Sequence, residues 1–263
     1  MTKLSEMPTK PPKIITFGPL GTGKTLFAQS AGEAIQILDL DDGYVTGRQW
    51  KDEHTANRQQ CDVETFIDET PGKSTAWPKF QLHIQRMALS VKKGTWPYPV
   101  VAIDSLTSMG ELALRHVMCS AGRLEGGIMG KVEQQHWGMC FQLMESILTI
   151  MRSMNIAVIL IAHDDMREIG GIKERILACN GQKLPFKIPR LFDEVWYFKK
   201  VTDKTKEAGV RIDIQSTPTP LLNVRTRNQI PKCTVDAGLP KLMKFMGYDL
   251  EEKLQEYKDR NSK

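Results

Sequence analysis

Eight consecutive residues, Gly18-Pro-Leu-Gly-Thr-Gly-Lys-Thr25, have the types and spacing of G-x-x-x-x-G-K-[ST], a loop built to hold a polyphosphate. Gly21 and Gly23 let the backbone bend so that successive N–H groups point inward at phosphate oxygens. A helix opening at Lys24 adds the positive end of its dipole. The Lys24 ammonium then reaches the β- and γ-phosphates, and the Thr25 hydroxyl ligates Mg2+. Gly18, Pro19, Leu20, Gly21, Thr22, Gly23 and Leu26 complete the expected nucleotide-binding set. ATP and Mg2+ are the ligands this chemistry calls for.

The metal needs a second oxygen donor at the end of a neighbouring strand, and Val100-Val-Ala-Ile-Asp104 supplies Asp104. Many P-loop motors continue with a glutamate base; this chain continues with Ser105. A base must come from elsewhere or be missing. The run Asp39-Leu-Asp-Asp-Gly43 offers Asp41 first and Asp42 next, with Asp39 structural; the same acids would also serve to cap a turn before Gly43. At the end of Ile159-Leu-Ile-Ala162, His163 is placed to sense a γ-phosphate, or is a histidine satisfied by its own neighbours.

Such residues need a parallel sheet to deliver them to one edge. Ile14–Phe17, Ile35–Asp39, Val100–Asp104 and Ile156–Ala162 are nearly continuous apolar runs, as strands covered on both faces should be. They alternate with helical patterns at Lys24–Ala34, Pro78–Lys92 and Trp137–Met154, the signature of βαβ units. After Pro189, Glu194–Val201 and Val210–Gln215 read as antiparallel strands, and Leu221–Thr226 as another. The expected organisation is a flexible basic arm over 1–12, one ATPase domain over 13–248, and a C-terminal helix and tail over 249–263. Asp249 is the expected N-cap of that helix, with Glu252 three positions on.

The chain has 263 residues, 41% hydrophobic and 25% charged, with a formal charge of +5. That length buries a core without staples. No apolar run approaches the roughly 18 residues that span a bilayer, and the basic N-terminus has no apolar stretch behind it, so a cytoplasmic protein is expected (host cytoplasm if viral). Cys61, Cys119, Cys140, Cys179 and Cys233 show no metal or disulfide spacing.

Together, the P-loop, Ile103-Asp104-Ser105, the acid at Asp41 and the polar strand tip at His163 resemble the RecA-type ATPase core and not the AAA+ branch. The resemblance implies a RecA-like P-loop NTPase: α/β, a mostly parallel twisted sheet flanked by helices, with a C-terminal antiparallel extension. In that family the corresponding acid is Glu and the sensor is Gln. Asp and His here imply a weak Mg-dependent ATPase. Ile161-Ala-His-Asp-Asp165, Phe192-Asp-Glu-Val195 and Trp137-Gly138 after a glycine-rich loop look like the Sak-type phage single-strand annealing proteins.

That resemblance implies two DNA-contacting loops. The first, about Ser120–His136, is glycine-rich, but Arg123 and Lys131 are cancelled by Glu125 and Glu133. The second, about Asp165–Arg190, sets Arg167, Lys173, Arg175, Lys183, Lys187 and Arg190 against Asp165, Glu168 and Glu174, six cations to three carboxylates. Its glycines suggest a segment that orders on binding. Phe186 and His136 are candidates for stacking on bases, with core packing the alternative for Phe186. Arg225 and Arg227, two apart on an expected strand, project together. By the family resemblance they would reach a neighbouring subunit's γ-phosphate as arginine fingers, or else guard an exposed edge.

The expected function is an ATP-binding protein that assembles on single-stranded DNA as a ring or filament and promotes annealing. A single-strand-binding protein is the further partner implied, and no membrane is involved. A helicase or helicase loader is the second reading. A small-molecule P-loop kinase, with the basic segment as its lid, is the third.

Overall fold

The structure, a computed structural model, describes residues 10–44, 54–179, 181, 183–205, 210–219, 222, 224–228, 230 and 233–261. Residues 1–9 of the expected arm, and Leu221 and Asn223 of the expected last strand, lie outside them.

Among the described residues eight strands form the main sheet: β1 (Lys13–Phe17), β2 (Ile35–Asp39), β3 (Asp62–Thr65), β4 (Val100–Asp104), β5 (Ala157–Ala162), β6 (Glu194–Thr202), β7 (Val210–Gln215) and β8 (Cys233–Thr234). Their order is β8-β7-β6-β1-β5-β4-β2-β3, parallel from β6 to β3 and antiparallel from β6 to β8. This is an α/β arrangement with a mostly parallel sheet and an antiparallel extension at one side. Register matters more than order for function. Phe17 lies opposite Ala162, Ile161 opposite Asp104, and Asp104 opposite Asp39, so four strand tips finish level at one edge.

Both sheet faces are covered, which is why the central strands are apolar throughout. Ile15, Phe17, Leu38, Ile103 and Leu160 face α2 (Ala76–Lys93), α3 (Leu106–Ser120) and α4 (Gln134–Ser153), here numbered after α1 (Lys24–Gln29). Ile14, Ile37, Ala102, Ile159, Trp196 and Phe198 share the other core with α1, α5 (Gly238–Phe245) and α6 (Leu250–Asn261). Each large side chain so buried contributes roughly 1.5–3 kcal/mol. Ser105 caps α3 by accepting from Ser108 N at 3.3 Å. Asp249 accepts from Glu251 N and Glu252 N at the start of α6, whose Tyr257 is buried. No described helix is long and apolar enough to cross a membrane.

Several expectations are corrected. The helix from Lys24 stops at Gln29, because the Ser30 hydroxyl takes the Phe27 carbonyl and Gly32 turns to a φ of 61°. The segment after His163, expected as a mobile loop, is a six-on-six hairpin, Asp164–Ile169 with Ile172–Leu177, turned at Gly170-Gly171. Both glycines have positive φ, as a tight hairpin turn of matching twist requires. The first loop likewise holds a short hairpin, Leu124–Glu125 with Ile128–Met129. Leu221–Thr226 is not a strand among the described residues: Leu222 and Arg225 make isolated bridges only. The cause is Glu194, whose buried carboxylate accepts from Arg227 N at 2.9 Å and Asn228 N at 3.1 Å and so bends the chain off the sheet.

Candidate nucleotide site

The loop from Gly18 to Gly23 joins β1 to α1 at the level edge of strand tips. Its first glycine rests directly on β6. A Cβ on Gly18 would lie 2.3 Å from Phe198 O, so only glycine allows this seat. Lys24 is buried and folded back, donating from Nζ to Gly18 O and Pro19 O at 2.9 Å each. Burial, partly offset by the charge of Asp104, pulls its ammonium down to about 8. Thr25 Oγ1 donates to Asp104 Oδ2 at 2.5 Å. Burial pushes the Asp104 carboxyl up to about 7, against the pull of that hydrogen bond. A hydroxyl and a buried carboxylate side by side, both hard oxygen donors, fit Mg2+ held through few protein ligands and several waters.

Asp39 is structural. Its Oδ1 accepts from Asp41 N at 3.3 Å and Gly43 N at 3.2 Å, and burial raises its pKa to about 6. Asp41 is exposed, lines the cavity, and accepts from Ser108 Oγ at 3.4 Å. Asp42 is exposed with a φ of 62° and is not among the lining residues. His163 lines the cavity from the tip of β5, and its Nδ1 is buried without a hydrogen-bond partner. Burial first, and then the Lys24 charge, depress its pKa, keeping the ring neutral at pH 7. A neutral imidazole can give one hydrogen bond and accept another.

A cavity of about 810 Å³ opens over the loop. Gly21, Thr22, Gly23, Lys24, Thr25, Asp41, Asp104 and His163 form one side; Leu20 and Leu26 also line it. Residues the sequence reading missed form the other: His54, Arg58, Lys200, Val210, Arg211, Ile212, Val235 and Asp236. Val210, Ile212 and Val235 give an apolar wall suited to a heterocyclic base. The alternation of Val210, Ile212 and Ile214 was readable in the sequence, but only the pairing of β6 with β7 brings it to the P-loop.

Other expected site residues lie elsewhere. Arg225 pairs through its backbone with Val195, level with Ile15 at the far end of β6, and donates from Nη2 to Pro189 O at 3.3 Å. Arg227 Nη1 instead meets Asp193 Oδ1 at 2.8 Å. Their partners differ, and neither lines this chain's own cavity. In the hairpin, Arg167 pairs with Asp165 and Arg175 with Asp164; beyond it, on the turn Leu184–Lys187, Lys187 Nζ lies 3.9 Å from Glu145. Lys173, Lys183 and Arg190 are exposed and have no carboxylate partner among the described residues. His136 cannot stack on a base: it is buried, and its Nδ1 accepts from Glu133 N in a capping box. Phe186 is 37% exposed and remains available.

The two carboxyl and ammonium shifts set a pH window. Magnesium needs Asp104 ionised, and triphosphate needs Lys24 charged. MgATP affinity, followed by calorimetry across pH, is expected to peak between about 7 and 8 and to fall on both sides. Flat affinity from pH 6 to 9.5 would show that neither group contacts the ligand.

A family match agrees with this chemistry. A search of curated proteins finds no match. A KaiC-like protein from the hyperthermophilic archaeon Pyrococcus horikoshii is similar in structure at 12% identity, with 86% of this chain and 83% of that one covered and a TM-score of 0.40. The model of the AAA domain family matches residues 10–227. The strand-tip residues were expected to separate this core from the AAA+ branch, yet the matching family bears the AAA name. Both are P-loop ATPase cores, and that coarser statement holds. From the residues before β1 to Arg227, the chain belongs to the AAA domain family, and its core is a nucleotide-binding ATPase core.

Proposed function

We propose that this ATPase binds single-stranded DNA under nucleotide control and promotes annealing, as the Sak-type phage proteins it resembles do. One observation carries the reading. The strand that ends at Ala162, one residue before His163, runs directly into the hairpin that carries Lys173: Asp164 follows His163, and Ala178 N donates back to His163 O at 2.9 Å. A shift at His163 on nucleotide binding therefore moves the hairpin base, and with it Lys173 at the far strand and the chain that leads on to Lys183 and Arg190.

Mg2+ would be held by Thr25 and Asp104 and would neutralise charge on the triphosphate. Lys24 leaves its loop carbonyls to meet the β- and γ-phosphates, and His163 donates to the γ-phosphate. Asp41 orients the attacking water. With Ser105 where a glutamate base often stands, hydrolysis is slow, and binding more than turnover gates the DNA contact. Arg225 and Arg227, remote from their own cavity, are the fingers offered to a neighbour in a ring or filament. A single-strand-binding protein is the further partner.

Anisotropy of a labelled oligonucleotide tests this. With Lys173, Lys183 and Arg190 as the unpaired phosphate contacts, affinity should fall about twentyfold between roughly 50 and 200 mM salt. Replacing all three with Gln should remove most of that slope. Absence of binding at low salt, with or without ATP, ends the reading; directional unwinding of a forked duplex would make the protein a motor instead.

A further inference from the structure

We infer that Lys200 is a second phosphate-binding cation of the nucleotide site, supplied in cis by the antiparallel extension. The inference deepens the nucleotide-binding reading and rests on it.

The placement follows from strand geometry. Residues two apart on a strand share a face, so Lys200 projects on the same side as Trp196 and Phe198, the side that carries α1 and the P-loop. Phe198 is the residue on whose carbonyl Gly18 sits. Lys200, one step further along β6, therefore rises past the P-loop's base toward its tip. A Cβ on Gly21 would lie only 3.4 Å from Lys200 Nζ, and Lys200 lines the cavity.

Its charge is not spent elsewhere. Lys200 is exposed and has no carboxylate partner among the described residues, whereas its cavity neighbour Arg211 is held by Asp213 at 2.8 Å and Asp203 at 3.6 Å. The ammonium is near enough to Lys24 to oppose protonation there. Two like charges beside one phosphate loop disfavour the free protein and favour an anion that answers both. The chemistry fits the phosphate chain of a nucleoside di- or triphosphate and not the base, which meets Val210, Ile212 and Val235.

The test compares ATP, ADP and adenosine binding by calorimetry on the full chain. Lys200→Met should weaken ATP about tenfold, the effect of one lost charge-assisted contact, weaken ADP less or equally, and leave adenosine within twofold. Lys200→Arg should restore ATP affinity. Lys199→Met is the control, because Lys199 projects to the opposite face and bonds Gln215 Oε1 at 3.2 Å. ATP affinity unchanged in Lys200→Met, an equal loss for adenosine, or failure of arginine to rescue would each overturn the inference. Lys24→Ala run alongside separates the two readings: if it too binds ATP normally, the nucleotide site itself is wrong; if it alone loses ATP, only the role of Lys200 is.

Discussion

Lys24→Ala is expected to remove ATP binding without unfolding the protein. Charge-assisted hydrogen bonds are each worth about 1.5–3 kcal/mol, so losing the ammonium's contacts to two phosphates weakens ATP by a hundredfold or more. The free protein should melt no lower than the unaltered chain. Its buried ammonium is held by Gly18 O and Pro19 O, yet burial drags its pKa to about 8, so the charge there costs stability at pH 7. Calorimetric titration and a thermal melt give both numbers. Full ATP affinity in this variant would remove the P-loop as the site.

Glu194→Ala is expected to have the largest effect on stability. Glu194 is fully buried, and its carboxylate accepts from Trp196 Nε1 at 2.9 Å, from Arg227 N and Asn228 N, and from Asn228 Nδ2 at 2.9 Å. Truncation leaves the indole N–H, fully buried, without an acceptor and frees Arg227 and Asn228 from β6. The loss should be roughly 3–5 kcal/mol, lowering the melting temperature on the order of 10 °C. Glu194→Gln keeps one acceptor and should lose less than half as much. A melt within 2–3 °C of the parent for the alanine variant would show that the network is worth little.

What could be read from sequence follows burial. β2 and β4 have the bounds that their apolar runs announce, Ile35–Asp39 and Val100–Asp104, because every residue there is covered on both faces. β3 was missed: Asp-Val-Glu-Thr is polar and largely exposed, so no pattern separates it from a loop. The P-loop, Asp104, Asp41 and His163 were legible since each sits at the end of a run that can only be a central strand, and the structure brings them to one cavity. The cavity's far wall was not. Lys200, Val210 and Ile212 acquire a role through register, Lys200 opposite Ile212, and local sequence carries no register between strands seven residues apart. The strand expected over Leu221–Thr226 was misread for a related reason: a two-residue period was visible, but the Glu194 carboxylate that bends the chain away lies more than thirty residues upstream.

The sheet's two rims are poor templates. One is β3, four residues of which three are exposed and one is a glutamate; the other is β8, two residues long as described. Backbone groups at such short or charged margins offer little purchase for a foreign chain to zip on. A second copy would therefore gain little by continuing the ladder at either described rim.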